Sequence, residues 1–259
     1  MSLSKWLVLP AVLVGIAAGD AFAVAVVPRF ATIVVRTGDS APETLQIEVV
    51  PNPEDEGKTY LLGGEEGFSY QTSEYLISGA GLFDPDPEIS YGLAVIDFGA
   101  PTSFGFQFGQ PIVPIPAPGV ASHTYSGSLT DGGSGSVTLT ALAPPGGVPV
   151  DTDGTPEMSV YTLSTDGGTT LLSAELDLGT SLVAGGASSL HGPFNPPAIP
   201  GPAGSGSYDY MQVDVNFSLS GGGDLYTSNG RAVIIPEPTA AVIAGMGLLG
   251  LSAFRRRRV

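Results

Sequence analysis

Apolar residues alternate with polar ones over short stretches of this chain, and turn residues separate the stretches. Residues 31–35 (Ala-Thr-Ile-Val-Val) and 44–50 (Thr-Leu-Gln-Ile-Glu-Val-Val) alternate or run apolar. Similar stretches fall at 68–78, 91–98, 104–108, 122–129, 136–142, 158–163, 170–178, 208–219 and 232–235. Phe104, Phe106 and Phe108 recur at period two, which sets three rings on one face of a strand. Gly, Pro, Asn and Asp fill the gaps. The body of the chain carries no convincing helical period. The pattern predicts an all-β fold of about eight to eleven strands in a single antiparallel β-sandwich, jelly-roll or immunoglobulin-like. No repeat of about 20 to 50 residues is present, so a β-solenoid ranks lower. Residues 91–98 and 104–108 are expected to pair across the turn 99–103. Residues 111–119 and 190–207, rich in Pro and Gly, read as long surface loops.

The two ends follow a different pattern. Lys5 precedes an apolar run, 6–16, and Ala21-Phe22-Ala23 forms a small-x-small cleavage site. That arrangement predicts a signal peptide over 1–23, cut between Ala23 and Val24. At the far end, residues 239–254 are an apolar run of 16 residues, followed by Arg255, Arg256, Arg257 and Arg258. As a helix this run would be about 24 Å long, against a bilayer core of about 30 Å. The arginines place the C-terminus in the cytoplasm and the body outside. Pro236 and Pro238 stop a helix from running through and set a stiff, extended segment before it.

The order Pro236-Glu237-Pro238, short apolar helix, Arg255 to Arg258 resembles the PEP-CTERM sorting signal of Gram-negative bacteria. The preceding residue is Ile235, where Val is more usual. The likeness covers the last 24 residues, 236–259. It implies recognition by an exosortase, processing near the Pro-Glu-Pro, transient membrane association through the helix, and delivery to the cell surface or extracellular matrix, often beside exopolysaccharide. A domain of 24–235 then lies between the signal peptide and the sorting signal.

Composition and charge narrow the classes further. The chain has 259 residues, no Cys, 37 Gly, 23 Pro and only 13% charged residues, well below the usual quarter. Of nine basic residues, Lys5 and the four terminal arginines lie in the ends, leaving Arg29, Arg36, Lys58 and Arg231. Of 25 acids only Asp20 leaves with the signal peptide, so the mature body is near −20 against −16 for the whole chain. With no basic footprint, nucleic acid is excluded as a partner. Without cysteine the domain must be held by its core alone, which is feasible at this size.

Catalytic and cofactor motifs are scarce. Gly57-Lys58-Thr59 resembles the end of a P-loop, but Asn52 stands where the earlier glycine belongs and the surroundings are acidic. Gly245-Met-Gly-Leu-Leu-Gly250 fits the dinucleotide-binding spacing but lies in the apolar tail, not after a strand. There is no G-x-S-x-G elbow. His123 and His191 are the two histidines, far apart, and nothing selects a Ser partner. Asp84-Pro-Asp86-Pro-Glu88 and Asp151-Thr-Asp153 cluster hard oxygen ligands of the kind Ca²⁺ takes, although turns favour the same residues.

Two function classes follow. One is a non-enzymatic structural or adhesive surface protein that contacts exopolysaccharide. The alternative is a secreted polysaccharide-active hydrolase using a carboxylate pair, which would set two carboxyls about 5 to 10 Å apart in a groove. No Trp remains after residue 23, which removes the usual sugar-stacking side chain.

Overall fold

The computed structural model describes residues 28–56, 58–117, 119–133, 135–143, 156–185, 187–202 and 206–236. The predicted helices of the signal peptide and the tail lie outside these residues. Among the described residues there is no α-helix, and none long and apolar enough to cross a membrane.

Among the described residues, seventeen strands form two antiparallel sheets. The first sheet holds β1 (Phe30–Thr37), β2 (Glu43–Ile47), β8 (Thr102–Pro116), β10 (Val137–Ala141), β11 (Ser159–Ser164), β12 (Leu172–Leu178), β13 (Leu182–Ala184) and β16 (Ser207–Leu219). The second holds β3 (Val49–Pro51), β4 (Tyr60–Leu62), β5 (Phe68–Gln71), β6 (Tyr75–Asp84), β7 (Glu88–Asp97), β9 (Val120–Thr130), β14 (Ser188–Phe194), β15 (Ile199–Pro200) and β17 (Asp224–Ile235). The main path of the first is β12-β11-β16-β8-β1-β2 and of the second β14-β9-β17-β7-β6-β4-β3.

The sheets pack face to face because alternate residues of each strand are apolar. Ala31, Ile33 and Val35 of β1, the three phenylalanines of β8, and Met211, Val213, Val215 and Phe217 of β16 are all buried. Ile89, Tyr91, Leu93 and Val95 of β7, with Ile77 and Phe83 of β6, meet them from the other sheet. Ring pairs cross the interface: Phe83 with Phe108 at 6.3 Å, Tyr91 with Phe108 at 5.1 Å and Phe217 with Tyr226 at 5.0 Å between centroids. Aromatic pairs at these separations add to the area they bury. Gly230 stands opposite Tyr91 in the β7–β17 register, and a Cβ there would sit 2.2 Å from the Tyr91 ring. Glycine lets that ring lie flat across the strand.

The expected all-β, two-sheet architecture is present, but several local expectations are corrected. β7 and β8 do not pair with each other. β7 lies between β6 and β17, and β8 lies between β1 and β16. Both bury one face, and the link between them turns the corner from one sheet to the other. Asp97 closes that corner by accepting the backbone N–H of Thr102 at 3.0 Å and its hydroxyl at 3.2 Å.

Residues 44–50 form two strands, not one, because the chain changes sheets at Glu48. Residues 68–78 likewise divide into β5 and the start of β6 at a turn where the Thr72 hydroxyl accepts the N–H groups of Glu74 and Tyr75. Residues 111–116 are not a loop but the end of β8, paired with β16. Among the described residues pairing with β1 stops at Gly109, which makes this segment a sheet edge there, where proline is tolerated. Residues 190–207 include β14 and β15, both added beside β9. β17 starts at Asp224, eight residues earlier than the apolar run at 232 indicates, because its first half alternates through Thr227, Ser228 and Asn229.

Phe108 is fully buried and touches rings of both sheets. Phe108→Ala should cost about 3–5 kcal/mol of unfolding free energy. Urea unfolding of the two proteins measures this, and a loss below about 1 kcal/mol would remove Phe108 from the centre of the core.

Candidate functional site

Both histidines lie inside the sandwich, each in a hydrogen-bonded chain. His123 Nδ1 is 3.0 Å from the carbonyl of Leu176, so that nitrogen carries the proton and donates. Its Nε2 is then an acceptor for the Ser159 hydroxyl at 3.0 Å, and Ser159 accepts from Tyr91 at 2.8 Å. His191 takes the opposite tautomer. Its Nε2 donates to the Thr180 carbonyl at 2.6 Å, and its Nδ1 accepts from Tyr226 at 2.7 Å. Tyr226 in turn accepts from Tyr125 at 3.0 Å.

The Ser159–His123 contact has the donor order of a nucleophile and its base. Both residues are 0% exposed, however, and the third partner is a backbone carbonyl, not a carboxylate. This is a satisfied structural chain. Burial pushes the His123 imidazole down to about 4 from its ordinary 6.5, and lowers His191 in the same direction. Both histidines are therefore neutral at physiological pH.

The outward face of the first sheet is polar. On β16, Gln212, Asp214 and Asn216 alternate with the core residues Val213 and Val215, yet all three are nearly buried. Asp214 is flanked in register by Val160 on one side and Gln107 on the other. Its two carboxylate oxygens accept Gln107 Nε2 at 3.0 Å and Gln212 Nε2 at 2.8 Å. Burial raises its carboxyl to about 6, more than the two amides lower it.

Two residues further along the same face is Asn216. Its backbone is fixed, N–H to Met158 at 2.7 Å and carbonyl to Leu142 at 3.1 Å, but its side-chain Nδ2 is buried with no hydrogen-bond partner. Asn216 lines a cavity of about 410 Å³ together with Val34, Arg36, Ser103, Gly105 and Leu142. A second cavity of about 290 Å³ lies against Thr124, Phe194, Asn229 and Arg231. Among the described residues, neither of these two cavities is lined by a carboxylate.

Two further acids, Asp97 and Asp224, face each other in register and are both 0% exposed. Burial raises Asp97 to about 6. The four oxygens of the pair are committed to Thr102, Gly132 and Ser220.

The residues picked out from sequence are dispersed. Asp84 Oδ1 accepts the N–H of Asp86 at 2.8 Å, an ordinary turn contact. Glu88 is held by Arg231 through two bonds of 2.7 and 2.6 Å. Among the described residues no three His, Asp or Glu side chains gather as a metal site. Pro236 is exposed at the end of β17. Ala21, Ala23, Asp151, Asp153, Glu237, Pro238 and Arg255 to Arg258 lie outside the described residues.

Sequence reading did not find the Asn216 cavity. The alternation through 212–216 signals a polar strand face, but nothing in it shows that Arg36 and Gly105 lie across from Asn216.

No family model matches the chain. No curated protein matches it. Among solved structures, the chain is similar to one from the structure of infectious bursal disease virus, Gt strain. Identity is 11% and the TM-score 0.19, over 82% of this chain and 66% of the viral one, a likeness too slight to carry an argument.

Two opposing pH effects follow from the buried groups. His123 is depressed on folding, so its stabilising contribution is present above pH 6.5 and is lost as pH falls through about 4. Asp214 is raised, so its contribution is present below pH 3.8 and lost as pH rises through about 6. Asp214→Asn should therefore gain on the wild type between pH 4 and 6 and stay level above it, as read by chemical unfolding across that range. A difference independent of pH would show that Asp214 does not titrate there.

Proposed function

We propose that this chain is exported across the inner membrane and displayed at the cell surface or in the extracellular matrix as a structural or adhesive β-sandwich. The observation that carries the reading is the three-part tail: Pro236-Glu237-Pro238, the apolar run 239–254 and the arginine cluster 255–258. An exosortase is its processing partner and exopolysaccharide its neighbour at the surface. The Ala21-Phe22-Ala23 site and the strongly acidic body suit that route. So does a core closed by aromatic packing in a chain with no cysteine.

The finer fold is a jelly roll. β8–β9 and β16–β17 cross between the sheets as neighbouring pairs, with β8 beside β16 in one sheet and β9 beside β17 in the other. The hydrolase alternative needs two acids open to a groove. The facing acids Asp97 and Asp224 are enclosed.

Peptide mass spectrometry of the protein recovered from the cell surface tests the route. Peptides covering residues 248–254 should be missing from the mature form. Replacing Pro236, Glu237 and Pro238 by alanine should leave the full-length chain in the inner-membrane fraction. Mature protein that retains 248–254, or triple-alanine protein that reaches the surface at the wild-type level, would overturn the proposal.

A further inference from the structure

The cavity on the outward face of the first sheet lies where β16, β8 and β1 run side by side. Asn216 of β16 is in register with Gly105 of β8, which is in register with Val34 of β1. The middle strand offers only backbone at this point, and Val34, Gly105 and Asn216 all line the hollow. One step along the same strands, Arg36 is in register with Ser103. Both line the hollow.

The donors here are unbalanced. Asn216 is 2% exposed, and its Nδ2 has no partner. A buried amide N–H left unpaired costs free energy that a ligand acceptor would recover. Arg36 is exposed and makes no ion pair or hydrogen bond among the described residues.

Arg231 is held by Glu88, and Arg29 lies over the Tyr60 ring, whose centroid is 3.6 Å from its guanidinium carbon, with its Nε buried and unpaired. In a body with four basic residues and 24 acids, a free guanidinium beside an unpaired buried amide is a local concentration of donors. On this face Asp214, two residues before Asn216 on the same strand, has each oxygen bound by an amide, Gln107 or Gln212.

We propose that this hollow is a binding site for a carboxylate ligand with a ring-sized body. The carboxylate would take the Arg36 guanidinium and Asn216 Nδ2, charge-assisted on the first. The body of the ligand would lie on Gly105 between Val34 and Leu142. A volume of about 410 Å³ suits one ring and no more than a short extension. The inference stands on the hollow alone and does not depend on the export route.

Titration of the full chain in detergent micelles tests it, read from nitrogen–proton correlation spectra at Arg36 Nε and Asn216 Nδ2. Three probes separate the chemistry: sodium D-glucuronate, sodium cyclohexanecarboxylate and neutral D-glucose. Saturable shifts at both side chains are expected with at least one carboxylate and not with glucose. Which carboxylate binds more tightly tells a sugar acid from an apolar acid.

Arg36→Gln changes an exposed residue and leaves the core intact. It should weaken binding roughly tenfold or more, the usual effect of losing a charge-assisted bond. Asn216→Asp keeps the shape, replaces the donor by a carboxylate and should abolish binding. No saturable shift with either carboxylate, binding of glucose as tight as glucuronate, or unchanged affinity in Arg36→Gln would each overturn the site.

Discussion

Phe104, Phe106 and Phe108 sit at alternate positions of β8, and both sheets close on them. Each ring is buried to 1% exposure or less. Phe104 meets Tyr75 of β6 and Phe217 of β16, and Phe108 meets Phe83 of β6 and Tyr91 of β7. A strand with this periodicity can only lie with its rings inward, which fixes its register against β1 and β16. Those registers in turn put Gly105 opposite Asn216 and Gln107 opposite Asp214. The polar outer face is thus set by the apolar inner one.

The same period explains what could be read in advance. Alternation located β1, β7, β9 and β16, because each buries one face and keeps the other polar. It could not say which strands pair. β7 and β8 are adjacent in sequence and both apolar on one face, and that is equally consistent with a hairpin and with a corner between sheets. The corner wins through Asp97, whose carboxylate is spent on Thr102. Pro-rich segments were the other blind spot, since 111–116, 190–194 and 199–200 look like loops by composition and are held as strands by the ladders beside them.

The buried polar groups divide by how completely they are satisfied. His123 and His191 have both nitrogens engaged, in opposite tautomers, and they stiffen the region where β9, β11, β14 and β17 meet. Such chains are costly if broken and inert if intact. Asn216 differs in having its backbone fully used and its side chain not. Two histidines stand out in a sequence with few motifs, while one Asn among many residues does not. Composition therefore drew attention to the groups with least freedom to act.

The prolines at the end of β8 carry a consequence for neighbouring molecules. Among the described residues, β8 runs on past its pairing with β1 as a border of the sheet, a place where another chain could add a strand of its own. Pro111, Pro114 and Pro116 have no N–H to offer such a strand, and the N–H of Val113 is already taken by the carbonyl of Pro85. A newcomer would find carbonyls with few matching donors and could not zip along the border. The segment whose composition most resembles a loop is thus a poor template for strand addition.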